Sequence, residues 1–148
     1  MSEEKRLLDN TMQSPDDRFW TCYYFYPEVF TPVCTTEIKQ FEVLRPLFES
    51  EDCHLVAVNY ADSIEQDKFF KSLDIGDKYI FAQDINHEQA KKFNAYSDEL
   101  GICDRLVVIC NPLGVAQFVQ VFPQNIARSP ANILSALIAI QSGDECDD

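Results

Sequence analysis

The chain has 148 residues, 46% hydrophobic and 25% charged, with eleven Phe and six Tyr, a composition that supports one packed core and excludes a disordered or fibrous polypeptide. Twelve basic residues against twenty-five acidic ones give a formal charge of −13, which repels phosphate backbones and anionic bilayers, so neither nucleic acid nor membrane is an expected partner. No stretch has the length of a signal h-region or a membrane span, and six scattered cysteines do not make a secreted disulfide framework, which points to a cytoplasmic protein with mostly reduced thiols.

The aromatic run Phe19 to Tyr26 shows little alternation and predicts a strand buried on both faces, ended by Pro27. Thr31-Pro32 predicts a helix start, with threonine as N-cap and proline at the first helical position. Ile38, Phe41, Leu44 and Phe48 give that helix an apolar stripe, and Pro46 is expected to kink or shorten its end. Residues 53 to 60 predict a second buried strand. Residues 62 to 73 predict a helix with Ile64, Phe69, Phe70 and Leu73 on its stripe.

A short strand near Tyr79 to Ala82, a helix from about Asn86 to Tyr96 and two strands at 105 to 110 and 114 to 121 complete the middle of the chain. Cys110-Asn111-Pro112-Leu113-Gly114 supplies the residues of a tight hairpin turn. Ser129-Pro130 opens a last helix that carries Leu134, Leu137, Ile138 and Gln141. The alternation predicts a single α/β domain over 1–148, its sheet mostly parallel with helices on both faces and an antiparallel edge at the hairpin. Thioredoxin-like and flavodoxin-like sheets both meet this pattern.

Cys34 falls in the first turn of the helix that Thr31-Pro32 opens. Unpaired N–H groups and the positive end of the helix dipole favour thiolate over thiol at such a place. Thr31 brings a hydroxyl to the same helix end, suited to capping it or to holding an incoming oxygen, and Pro27 could wall the sulfur from water. Position alone leaves two readings of Cys34, a reactive sulfur or a small inert thiol.

The residues around it narrow the choice. Pro27-x-x-x-Thr31-x-x-Cys34, inside Phe-Tyr-Pro-x-x-Phe-Thr-Pro-Val-Cys-Thr-Thr-Glu, closely resembles the active-site signature of peroxiredoxins. The resemblance implies a thioredoxin-like fold and a thiol-dependent peroxidase that needs no cofactor and no metal. It implies that Cys34 is the peroxidatic nucleophile, that Thr31 orients the peroxide and that Pro27 shields the sulfur. Gly101-Ile102-Cys103-Asp104-Arg105-Leu106-Val107-Val108-Ile109 is similar to the family segment that supplies an arginine to the site, so Arg105 is its expected match. Glu37 and Arg128 resemble a supporting acid and a second arginine.

The likeness runs from about Phe19 to Cys146, leaving 1–17 as a poorly matched N-terminal segment and 142–148 as a tail. In two-cysteine members a C-terminal thiol, usually of the partner subunit, resolves the sulfenic acid, and a thioredoxin-like dithiol then reduces the disulfide. Cys146 is the expected resolving thiol, following the last helix, and Cys103 is its rival. A homodimer or a ring of dimers is implied. Without a Tyr-Phe tail, and with only Gly76 where relatives carry Gly-Gly-Leu-Gly, resistance to overoxidation is expected. No Cys-x-x-Cys occurs, which argues against a zinc ribbon and a thioredoxin-type dithiol. A peroxide sensor or holdase on the same scaffold is the alternative to a turnover enzyme.

Overall fold

Trp20–Phe25 forms strand β1 at the centre of a five-stranded sheet. The computed structural model describes residues 19–123 and 128–146, the last three by backbone alone, so the segment 1–17 lies outside them. Side chains alternate across a strand: Cys22, Tyr24 and Tyr26 pack on one face, Tyr23 and Phe25 on the other, and all five are buried. A strand covered on both sides has no polar face to show, which explains its unpatterned sequence.

The chain then enters α1 (Pro32–Val43) and α2 (Arg45–Ser50). They are divided at Leu44 because Pro46, at the start of α2, has no N–H to continue the first helix. β2 (Cys53–Asn59) lies parallel to β1, with Trp20 opposite Cys53 and Phe25 opposite Val58. α3 (Ser63–Ser72) starts at Asp62, whose carboxylate accepts the Glu65 N–H at 2.9 Å. Its buried stripe is Gln66, Phe69 and Phe70, continued by Leu73. Ile64, expected on that stripe, is exposed instead, since two residues are about 200° of helical turn away from Gln66. Phe70 stacks on the half-buried rings of Tyr79 and Phe81 at 4.9 and 5.7 Å, and a fully buried ring such as Phe70 contributes roughly 1.5–3 kcal/mol.

β3 (Phe81–Gln83) pairs parallel to β2. The helix expected from Asn86 to Tyr96 is much shorter. Asn86 and His87 both take left-handed backbone angles, φ 56 and 58, inside a 3-10 turn at Ile85–His87, and only α4 (Glu88–Lys92) is helical. The buried Asp84 carboxylate caps α4 by accepting the N–H groups of Gln89 and Ala90 at 2.8 and 3.0 Å. Tyr96 belongs to a two-stranded ribbon absent from the sequence reading, β4 (Tyr96–Ser97) with β5 (Ile102–Cys103).

β6 (Arg105–Cys110) runs antiparallel to β1, and β7 (Ala116–Phe122) antiparallel to β6. The hairpin turn is as predicted, with Asn111 Oδ1 accepting the N–H groups of Leu113 and Val115 at 3.0 Å each and Gly114 at φ 84. The sheet order is β3-β2-β1-β6-β7, two parallel pairs and two antiparallel ones. The antiparallel part thus reaches past the closing hairpin to the centre of the sheet, and a flavodoxin-like arrangement is excluded. α5 (Pro130–Cys146) continues beyond the expected end near Gln141, so Cys146 belongs to a helical turn rather than to a tail. Its buried residues include Pro130, Ile133 and Leu137, while Ile138 turns outward. Side chains of α1, α2, α3 and α5 join the core on one face, and α4 with Phe93 and Ala95 covers the other.

Candidate active site

The antiparallel pairing of β1 and β6 brings together residues far apart in sequence. Tyr24 lies opposite Val107, so two further residues along the same register Arg105 stands where β1 gives way to the loop that leads into α1. Cys34 lies in the first turn of that helix. The Arg105 guanidinium reaches it with Nη1 at 3.4 Å from Sγ, across 71 positions of sequence. Pro27, Thr31, Cys34 and Arg105 together line a pocket of about 270 Å³, with Glu28, Pro32, Val33 and Ile102 completing its walls.

Cys34 is 1% exposed and Arg105 2%. Thr31 occupies the N-cap position with extended backbone, φ −105 and ψ 153, but its side chain makes no capping bond. The expected hydroxyl cap is therefore not formed; the helix is closed there by the backbone bond from Thr35 N–H to the Thr31 carbonyl at 2.8 Å. Phe30, the residue before it, sits at φ 62, a left-handed angle that is costly for a bulky side chain, and its ring packs 5.0 Å from Phe69.

Behind the sulfur, Glu37 and Arg128 form the rest of the cluster. The Arg105 nitrogen that meets Cys34 also donates to Glu37 Oε1 at 2.9 Å. Arg128 grips the same carboxylate with its backbone N–H, Nε and Nη2 at 2.7, 2.5 and 2.6 Å, and ties itself to β6 through the Leu106 carbonyl at 2.8 Å. Glu37 is fully buried. Burial opposes its ionisation, but the hydrogen bonds and charge of Arg128, with the charge of Arg105, outweigh that and hold the carboxyl below its ordinary range. The Arg128 guanidinium lies 5.4 Å from the Phe41 ring and 5.9 Å from Tyr24, which replaces lost hydration with aromatic contact.

The other cysteines differ in kind. Cys22, Cys53 and Cys110 are strand residues with 0 to 2% exposure, and burial pushes Cys22 and Cys110 up to about 12. Cys103, in β5, is also buried and pushed up to about 12, chiefly by burial, and its Sγ lies 3.6 Å from the Tyr26 carbonyl. Cys146 ends α5, and its side chain is outside the described residues. It is sixteen residues from Pro130, about 24 Å of helix, and Gln141 on the way donates to the Glu51 carbonyl at 2.8 Å, just before β2 begins. β2 starts beside Trp20 at the beginning of β1, whereas Cys34 follows the other end of that strand.

Two polar residues that the sequence reading passed over reach the site loop. Asn59 and Gln66 are buried and hydrogen-bonded to Tyr26 and Pro27. Asn59 ends an otherwise apolar strand and Gln66 shares the spacing of Phe69, Phe70 and Leu73, so polarity at a core position was the available signal. Among the described residues no group of three or more His, Cys, Asp or Glu could hold a metal ion, and no helix is long and apolar enough to cross a membrane.

A cysteine at a helix start, under an arginine and within a mixed five-stranded sheet, defines a thiol-based redox protein of thioredoxin-like fold. The comparisons agree. The AhpC/TSA family matches residues 9–119. YkuU of Bacillus subtilis (strain 168), which carries a peroxiredoxin name, is 35% identical over 133 residues, 86% of this chain and 73% of that protein. Among solved structures, AhpC of Enterococcus faecalis superposes with a TM-score of 0.81 at 22% identity, covering 88% of this chain and 79% of the other. The reduced 2-Cys peroxiredoxin of Plasmodium vivax gives 0.78 at 25% identity, covering 89% and 70%. The chain belongs to the AhpC/TSA family: it is a peroxiredoxin, a thiol-dependent peroxidase whose substrate is a peroxide and whose reductant is a thiol.

Proposed function

We propose that Cys34 is the peroxidatic nucleophile and that Arg105, Thr31 and Pro27 form the site around it, with Glu37 and Arg128 holding Arg105 in place. The observation that carries this is the shared Arg105 nitrogen, 3.4 Å from Cys34 Sγ and 2.9 Å from Glu37 Oε1. A guanidinium there stabilises an anionic sulfur and the charge that develops on the peroxide oxygens as the bond breaks. The Cys34 thiolate attacks one oxygen of the peroxide. An S–O bond forms as the O–O bond breaks, and the other oxygen leaves as hydroxide or alkoxide, taking up a proton to become water or an alcohol. Sulfur is oxidised to sulfenic acid and the peroxide is reduced. Thr31, whose hydroxyl is not committed to capping, orients the incoming oxygen; Pro27, buried, keeps water away.

Cys146 of a second copy then attacks the sulfenic acid, forming a disulfide and releasing water, and a thioredoxin-like dithiol reduces that disulfide. The 24 Å of α5 between Pro130 and Cys146 favours an intersubunit bond over an internal one. β7 is compatible with assembly into a homodimer or ring, since it is an edge strand with Val119 and Val121 partly exposed. The test is non-reducing electrophoresis of wild type, Cys146→Ser and Cys103→Ser after one equivalent of peroxide, with steady-state peroxide consumption in a thioredoxin system. A linked dimer lost only in Cys146→Ser, with continuous turnover of wild type, supports the cycle. A single stoichiometric burst would favour a sensor, and no oxidation of Cys34 would overturn the assignment.

A further inference from the structure

Tyr26 and Pro27 are held by a buried set of side-chain and backbone hydrogen bonds. Asn59 Nδ2 donates to the Tyr26 carbonyl at 2.6 Å and to the Pro27 carbonyl at 3.2 Å, and Asn59 Oδ1 accepts the Ala61 N–H at 2.9 Å. Gln66 Oε1 accepts the Tyr26 hydroxyl at 2.7 Å, while its Nε2 donates to the carbonyls of Ala61 and Ala82 at 2.9 and 3.1 Å. The Tyr26 N–H donates to the Val58 carbonyl at 3.0 Å, and the Cys103 thiol donates to the Tyr26 carbonyl at 3.6 Å. Every hydrogen-bonding group of Tyr26 is engaged.

Asn59 is 1% exposed, and Gln66 and Tyr26 are fully buried. An amide at such depth is costly unless its groups are paired, and these two amides are paired to Tyr26 and Pro27 on one side and to Ala61 and Ala82 on the other. Pro27 lines that pocket and has no N–H of its own, so its place is set by its carbonyl and by Tyr26 before it. Ile102, another lining residue, directly precedes Cys103 in β5. Burial keeps both the Cys103 thiol and the Tyr26 phenol protonated at neutral pH, so both stay donors.

Resting on the assignment of Cys34 as the peroxidatic thiol, we propose that Asn59 and Gln66 are positioning residues that fix the Pro27 wall of the pocket, and that the Cys103 thiol ties the Ile102 wall to the same carbonyl. They touch neither sulfur nor substrate. Their effect is on the width and register of the space in which the peroxide aligns with Sγ, where a displacement near 1 Å can cost about 100-fold in rate.

The test uses the full chain with Asn59→Ala, Asn59→Ser and Gln66→Met. Four quantities are measured: Cys34 oxidation rates with hydrogen peroxide and with cumene hydroperoxide, iodoacetamide alkylation of reduced Cys34, and the urea midpoint. Peroxide rates are expected to fall about 10- to 100-fold in Asn59→Ala and Gln66→Met, with alkylation, which needs no aligned wall, changed less than about twofold. Hydrogen peroxide should lose more than the bulky hydroperoxide, and Asn59→Ser, which keeps one donor, should recover part of the loss. Parallel declines in both reactions that track the lost stability, or unchanged peroxide rates, would overturn the proposal. If Asn59→Ala does not fold, Gln66→Met and Tyr26→Phe decide. Either should cause the same loss, and the double variant no more than one of them; independent losses would count against the clamp. Failure of the active-site assignment shows separately, as wild-type Cys34 that peroxide does not oxidise.

Discussion

Glu37 and Arg128 stand 91 positions apart and meet through three hydrogen bonds of 2.5 to 2.7 Å, both side chains fully buried. The pair fastens the loop before α5 to the second turn of α1, directly behind the candidate thiol. Breaking it leaves a carboxylate in the core with Arg105 as its remaining charged partner.

Arg128→Met should therefore destabilise the fold by about 3–5 kcal/mol, the usual cost of orphaning one member of a buried pair. Urea unfolding of wild type and variant at pH 7 measures it. A change below about 1 kcal/mol would mean that the cluster is not held as the distances indicate.

Acid should act through Glu37. Its folded carboxyl lies below the ordinary value of 4.5, despite burial, because Arg128 and then Arg105 favour the charged form. A depressed folded value contributes stability that is complete above the unfolded value and disappears as pH falls through the folded one. Stability of wild type should thus hold level in this respect from pH 7 to about 5 and decline below it. Glu37→Gln should be less stable at pH 7 with a shallower decline in acid. Unfolding midpoints between pH 3 and 7 check both.

Arg105→Met should slow Cys34 oxidation by peroxide about 100-fold, the scale on which one pre-aligned donor supports developing charge. Arg105→Lys should fall between, since an ammonium keeps the charge but lacks the planar fork. Stopped-flow oxidation under excess peroxide is the measurement, and equal rates for all three proteins would remove Arg105 from the chemistry.

Thr31→Val separates capping from substrate contact. Because the hydroxyl makes no capping bond, its loss should change stability by less than about 0.5 kcal/mol, where a working cap would cost about 1. Peroxide reactivity should nevertheless fall by at least about tenfold, a loss within the range seen for polar groups that contact the reacting atoms. Paired urea and oxidation measurements on one preparation give both answers.

Much of the site was readable because its residues lie in contiguous, patterned stretches. Pro27, Thr31 and Cys34 share one segment, and the helix start at Pro32 follows from Thr31-Pro32 alone. Arg105 was reachable only by resemblance, since nothing local to β6 says which end of β1 it meets; the antiparallel register does that. The helix expected from Asn86 to Tyr96 failed for a different reason: residues 86, 87 and 94 take left-handed angles that apolar spacing does not report. Ile64 and Ile138 counted as stripe residues by spacing but face outward, because tertiary contacts choose which of two overlapping faces is buried. Asn59 and Gln66 were missed because a polar side chain inside an apolar pattern reads as noise until its partners are seen.

The cluster at Cys34 is also closed to solvent: Cys34, Arg105, Glu37 and Arg128 are all 2% exposed or less. Water is therefore not at hand to screen a change of charge at the sulfur, and the nearest groups that feel it are protein groups. Arg105 Nη1 links Sγ to Glu37 Oε1, and the same carboxylate oxygen accepts from Arg128 Nη2. A reaction at Sγ is thus two hydrogen bonds from Glu37 and three from Arg128, whose guanidinium is anchored to β6, so the sheet itself is mechanically connected to the state of one sulfur.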